Sequence, residues 1–333
     1  MLTDSHLNNS AYSVQFYEPS FYSQWNKLVH NSKNGTFLFH RDFMDYHQDR
    51  FQDASVIIFK KDKPIAVFPA NKVEKIVFSH QGLTYGGLVY SAKLKFQAVL
   101  EIFKSLLLFF ESEGFDTLQL KQLPAIYSSI PNDEINYLMF LMEAKLIRRD
   151  MLSVVKLSEE IAFSKDRKDG VKRAIKNQLV VKNDNLFDEF WNTILIPNLE
   201  EKHEAKPVHS LEEIKLLQER FPNNIKQFNV YKNDDLVAGT TIFITDHVAH
   251  SQYISGNADK NQLGSLDFLH DFLLKNACKD KLFFDFGISN ENQGKQVNSG
   301  LLYWKEGFGA RSMTQDFYSV PVCNHVKLNN VML

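Results

Sequence analysis

The chain has 333 residues, 44% of them apolar and 23% charged, with 38 Lys and Arg against 40 Asp and Glu for a formal net charge of −2. That length supports two domains with full cores, and that charge balance argues against a general nucleic-acid coat protein and against DNA binding, while leaving room for a local basic patch. With 28 Phe to bury and only two cysteines, Cys278 and Cys323, at no metal-type spacing, the chain is expected to fold without disulfide or metal staples in a reduced, cytoplasmic setting.

The opening segment, residues 1–13, has neither a basic stretch nor an apolar core and does not read as a secretory signal. Strand-like runs follow at 54–60, 64–70 and 74–79, the first two joined by the turn KDKP. The glycine-bearing loop 80–88 carries no lysine of a phosphate loop, and its TYGGL stretch reads as structural. A helix is expected from Ala92 to Glu113, stopped by Gly114. The most apolar run, 98–114, is interrupted by Glu101 and Lys104 and falls short of the roughly 18 residues that a spanning helix needs. A strand at 116–122 and a helix at 132–147 complete the first half, and a strand is expected at 151–157 beyond it. A boundary near residue 150 follows, giving expected domains of 1–150 and 151–333.

The second half opens on a basic stretch, 165–176, with six Lys or Arg against two Asp, a local charge of +4 that most simply forms a solvated helix face. Residues 187–204 have helical periodicity with a kink expected at Pro197, and Ser210 with Glu213 is spaced as a capping box opening a helix. His203 and His209 flank a Pro-containing turn but lack partners at zinc-like spacing. Strands are expected at 226–232, 236–244 and 247–254, then a helix at 262–278 with Leu263, Leu266, Leu269, Phe272 and Leu273 on one face, then a strand at 281–287.

Both halves therefore read β-β-β-α-β, and the offset between them is 170 residues from Ala92 to Gln262 and 166 from Asp116 to Leu282. A weakly preserved internal duplication accounts for that order. The expected class is α+β, with two central, mostly antiparallel sheets flanked by helices.

Three antiparallel strands, a helix and a further strand form the core of the GNAT N-acyltransferase fold. Two such cores in tandem, with GVKRAIKNQLVV (170–181), HEAKPVHSLEEI (203–214), DFGISNENQG (285–294) and GLLYWKEGFGAR (300–311), resemble the Fem peptidyltransferases and their FemAB-like relatives. The chain departs from the Fem enzymes in having no long heptad-like helical pair for their coiled-coil arm. It departs from ordinary acetyltransferases at NQLGSL (261–266), where Gly264 is kept but Leu266 replaces the second small residue of the coenzyme A loop.

The resemblance implies an N-acyltransferase that moves an acyl or aminoacyl group onto an amine. Its acceptor would be a small molecule or a cell-wall precursor, and its donor acyl-coenzyme A or aminoacyl-tRNA. No tightly bound cofactor and no metal is implied. Lys305, in the aromatic-lysine pair with Trp304 before a GFG turn, would face the oxyanion formed when an amine attacks an ester or thioester. Asp285, among phenylalanines at a strand end, would accept the proton of the attacking ammonium, with Glu291 as a second carboxylate near the substrate. Tyr253 is the candidate proton donor. Arg173 and Lys172 resemble the basic pair that meets substrate phosphates, and Gly264 marks the donor loop. The competing reading is a binding or assembly protein that keeps the fold without the chemistry.

Overall fold

The computed structural model describes residues 11–333, so the expectation for most of the segment 1–13 lies outside the described residues, as does the side chain of His203. The chain divides into two compact units, one of residues up to Arg149 together with Gln315–Leu333, the other Asp150–Thr314.

The first unit starts with β1 (Tyr12–Phe16), α1 (Tyr22–His30), the short α2 (Arg41–Met44) and β2 (Gln52–Asp53). It continues with β3 (Val56–Lys60), β4 (Lys63–Phe68), β5 (Asn71–Val73), β6 (Ile76–Phe78) and β7 (Val89–Tyr90). Next come α3 (Phe96–Ser112), β8 (Thr117–Lys121) and α4 (Glu134–Leu141). Strands β1, β3, β4 and β7 form one antiparallel sheet, while β6 runs parallel to β8. Helix α3 buries Val99, Ile102, Phe103, Leu106 and Phe110, at helical spacing, in the core that Val56, Ile58 and Phe68 line from the sheet. As expected, Gly114 takes the left-handed conformation after the helix, at φ +83°.

The helix expected at 132–147 is shorter. Met142 caps it, Glu143 turns left-handed at φ +51°, and the chain enters β9 (Lys145–Lys156). The periodicity of LMFLMEAKLI fits a helix, but pairing of an extended chain beyond Ala144 outweighs that local preference.

The second unit holds α5 (Lys165–Lys176), β10 (Leu179–Lys182), α6 (Phe187–Phe190), α7 (Ile196–His203) and α8 (Leu211–Arg220). A π-helical turn, Trp191–Leu195, joins α6 to α7 just before Pro197, widening the helix where proline lacks an N–H. The Ser210–Glu213 capping box is present in both directions, at 3.2 and 2.8 Å. Then follow β11 (Ile225–Lys232), β12 (Asp235–Ile244), β13 (Val248–Gly256), α9 (Lys260–Leu263), α10 (Ser265–Phe272) and β14 (Phe283–Ile288). A small hairpin of β15 (Asn290–Glu291) and β16 (Gln296–Val297) precedes α11 (Ser299–Glu306) and β17 (Arg311–Pro321). The sheet order β10-β11-β12-β13-β14-β9 is antiparallel except for the parallel step β13–β14. In each unit, then, a strand leads through a helix to a parallel neighbour, β6–α3–β8 and β13–α10–β14.

Residues 315–333, expected with the second domain, pack in the first unit instead. The latter half of β17 pairs antiparallel with β8, and Val320, Val322 and Leu328 are buried in the same core as α3. Burial in that core takes these apolar side chains out of water.

Candidate active site

The chemistry gathers where β13 and β14 part. The two strands pair only from Val248↔Phe283 to His250↔Asp285. Past that point β13 continues beside β12 to Gly256, while β14 is displaced by a register shift between Asp285 and Ile288. Gly287 sits within the shift at φ +70°, a conformation that glycine adopts without the strain a Cβ would add.

Asp285, 1% exposed, lies at the apex of the split. Its Oδ1 accepts the Gly287 N–H at 2.7 Å, and its Oδ2 lies 3.0 Å from His250 Nδ1. The position that a Cβ of Gly287 would take is 3.3 Å from His250 Cε1, so the far edge of the imidazole lies over the glycine.

Helix α11 delivers Lys305 to the same stretch of β14. Asn298 caps the helix through the Leu301 N–H at 3.0 Å, and Lys305 falls in the last turn. Lys305 is 2% exposed, and its Nζ donates to the carbonyls of Gly287 at 3.1 Å and Ile288 at 2.6 Å. Burial pushes its amine down to about 8, and the nearby Asp285 carboxylate opposes that fall. On the other side of the lysine His270 is fully buried among Phe284, Phe286, Trp304 and Phe308. Its Nδ1 donates to Leu266 O at 2.8 Å, and burial holds the ring neutral, with a value down at about 4.

A cavity of about 790 Å³ lies along the end of β13, past the point where that strand leaves β14. It is lined by the end of β13 (Ile254–Gly256), by Leu195, Asn198 and Leu199, by α5, and by Asp267 of α10 and Trp304 of α11. Asp267 organises the floor. It accepts from Arg167 NH1 at 2.7 Å and from Trp304 Nε1 at 3.1 Å, and burial raises its carboxyl against the pull of Arg167. Its Oδ2 lies against Gly170 of α5, and Gly264, at φ +71°, lies against the Gly170 carbonyl, where Cβ atoms would come within 1.8 and 2.1 Å respectively. The loop NQLGSL is therefore no open anion cradle. It folds into α9, a left-handed glycine and the first turn of α10, with α5 packed across it.

The other sequence-predicted residues fall in different places. Trp304 and Arg173 line the cavity, with Arg173 NH2 donating to Asn261 O at 3.3 Å. Lys172 is exposed and paired with Asp169 at 3.3 Å. Glu291 is exposed on the β15–β16 hairpin, where Asn298 Nδ2 donates to it at 3.1 Å. Tyr253 is buried against Trp191, and its hydroxyl meets His209 twice, accepting from the backbone N–H at 3.1 Å and lying 2.7 Å from Nδ1. Burial lifts the phenol to about 12. His250, Asp267 and Arg167 carry much of the geometry; of these, the sequence points only to His250, as one of three residues with Gln252 and Tyr253 on the strand that splays in GNAT folds, and favours Tyr253 among them. A useful signal for His250 was its place on a strand parallel to the one bearing Asp285. Among the described residues no group of three or more His, Cys, Asp or Glu is arranged to hold a metal ion, and no helix is long and apolar enough to cross a membrane.

No family model and no curated protein matches the sequence. Solved structures do match over nearly the full chain. FemX superposes with a TM-score of 0.65 at 10% identity, covering 92% of this chain and 96% of its own. L-PGS from Bacillus licheniformis gives 0.56 at 9% identity, covering 94% and 96%. A tandem GNAT protein from the clavulanic acid biosynthesis pathway gives 0.52 at 9% identity, covering 93% and 98%. At such identities the likeness speaks for the fold. The chain has the FemAB-like, tandem GNAT acyltransferase fold.

Proposed function

We propose that this protein is an N-acyltransferase that transfers an acyl group, and in particular an aminoacyl group, from an activated ester to an amine. The observation that carries this reading is the buried ammonium of Lys305, fixed on two carbonyls beside Asp285 where β13 and β14 part. An ammonium has three donors, and the two carbonyls use two, leaving one for the oxygen of a tetrahedral intermediate. A pre-fixed cation aimed at such an oxygen lowers the barrier by about 3 kcal/mol. The amine nitrogen forms the new C–N bond, the ester C–O bond breaks, and the amine proton passes to the leaving oxygen, so the chain itself forms no covalent intermediate.

Trp304 and Arg173 would hold the donor in the cavity, with Asp267 and Arg167 fixing the indole. Preference for an ester over acyl-coenzyme A rests on the first turn of α10. A coenzyme A pyrophosphate would sit on such a helix N-terminus, and here Asp267 and the crossing of α5 at Gly170 occupy that space. Neighbours in the fold include the C-terminal domain of a putative lysylphosphatidylglycerol synthetase from Agrobacterium fabrum, a name that denotes an aminoacyl group carried on a lipid; the acceptor proposed for this chain is instead an amine, such as that of a cell-wall precursor.

Titration calorimetry with coenzyme A, acetyl-coenzyme A and an aminoacyl-tRNA mixture, at two salt concentrations, tests the donor. Salt-sensitive tRNA binding without coenzyme A binding is the expected result. Micromolar coenzyme A binding would overturn the choice of donor. No binding of either, and no transfer to any amine, would favour a non-catalytic binding protein.

A further inference from the structure

The attacking amine must lose a proton, and Asp285 is poorly placed to take it. One of its oxygens is held by the Gly287 N–H and the other by His250 Nδ1. A carboxylate so engaged orients its partner. His250 is that partner, and its geometry is that of a proton acceptor.

Three observations converge on the imidazole. His250 is the last residue of β13 to pair with β14, so the split opens immediately beyond it. Its Nδ1 is fixed on Asp285, which sets the tautomer with the proton on Nδ1 and leaves the lone pair on Nε2. Its Cε1, the atom between the two nitrogens, lies against Gly287, the residue whose carbonyl holds Lys305. Nε2 makes no hydrogen bond among the described residues, although His250 is only 9% exposed. The other buried histidines of this unit are committed differently, His209 to Tyr253, and His270 within an aromatic box.

We infer that His250 Nε2 is the general base of the transfer, with Asp285 as its positioning residue; this rests on the acyltransferase reading above. The amine attacks the acyl carbon, and its proton moves to Nε2 as the C–N bond forms. The imidazolium, stabilised by the Asp285 carboxylate, then returns the proton to the leaving oxygen as the C–O bond breaks. Charge and protons balance, with an amide and an alcohol as products. Ile254, on the cavity wall, lies four residues further along β13, about 13 Å at a strand rise of roughly 3.3 Å per residue. The donor must therefore be extended, entering at Trp304 and reaching inward along β13 with its acyl carbon foremost.

The test compares wild type with His250→Gln and Asp285→Asn in transfer from aminoacyl-tRNA or acetyl-coenzyme A to an amine library, fitting kcat and KM separately. His250→Gln is expected to lower kcat by about 100-fold or more, with KM within twofold, the range for loss of a general base. Asp285→Asn is expected to lower kcat as well, since an amide does not stabilise the imidazolium. A His250→Gln variant that keeps more than half of the wild-type kcat would overturn the role of His250 and leave the acyltransferase reading standing. Absence of transfer by wild type from both donors would overturn that reading and the base with it. Should the variants fail to fold, diethyl pyrocarbonate on the folded wild type decides. Loss of activity in step with modification of His250, reversed by hydroxylamine, supports the role. Retained activity with His250 fully modified refutes it.

Discussion

Replacing Lys305 by Met separates the two things this side chain does in the fold. At neutral pH the variant loses charge-assisted hydrogen bonds to Gly287 O and Ile288 O, worth about 1.5–3 kcal/mol each. It is also relieved of holding an ammonium in a site 2% exposed, so the net destabilisation at pH 7 is expected to be only about 1–3 kcal/mol. The pH dependence is more telling. Burial pushes the amine down to about 8 in the folded protein, from the 10.5 of a free lysine side chain. Between those values the unfolded chain binds more protons at this site than the folded one, so the wild type gains stability as pH rises, and Met cannot follow. From pH 7 to pH 10 the gap between wild type and variant should widen by about 2.5 kcal/mol. Urea unfolding at pH 7, 8.5 and 10, followed by tryptophan fluorescence, reads it, because two of the three tryptophans, Trp191 and Trp304, belong to this unit. A gap that stays constant across the range would refute the buried, depressed ammonium and weaken the case for Lys305 as an oxyanion donor.

Gly264→Ala should cost about 2–4 kcal/mol, from a left-handed backbone and a Cβ placed 2.1 Å from the Gly170 carbonyl, measured as a lowered urea midpoint at unchanged slope. A neutral result would mean that α5 does not lie across the loop and that the donor argument fails. Ser210→Ala removes one arm of the α8 capping box and should cost about 0.5–2 kcal/mol, with faster amide exchange at Glu213 than elsewhere in α8. Exchange that speeds up uniformly along α8 would contradict a local cap.

Local rules carried the sequence a long way. Short apolar runs bounded by turn residues placed β3, β4, β11, β12 and β13, because a strand largely buried in a sheet is a continuous apolar stretch of a few residues between polar turns. Ser210 and Glu213 marked a helix start for the same reason, since cap and partner lie within one turn. The tandem order was legible too, and Lys305 and Trp304 were singled out by resemblance. The sequence failed where partners lie far apart along the chain. Residues 142–147 carry a helical pattern and yet feed β9, because strand pairing outweighs propensity. The stretch 315–333 joins the first unit, because Val320, Val322 and Leu328 find an apolar core beside α3. His250 and Asp285 are 35 residues apart, and only the parallel register of β13 and β14 sets imidazole against carboxylate. Likewise, spacing shows which face of α11 carries Lys305 but not that β14 turns two carbonyls toward it. Sequence alone determined the strands and helix of each repeat and their order, because those depend mainly on neighbours within a few residues. The tertiary structure alone decided which polar groups meet without water, and those meetings set the protonation and the reach of the site.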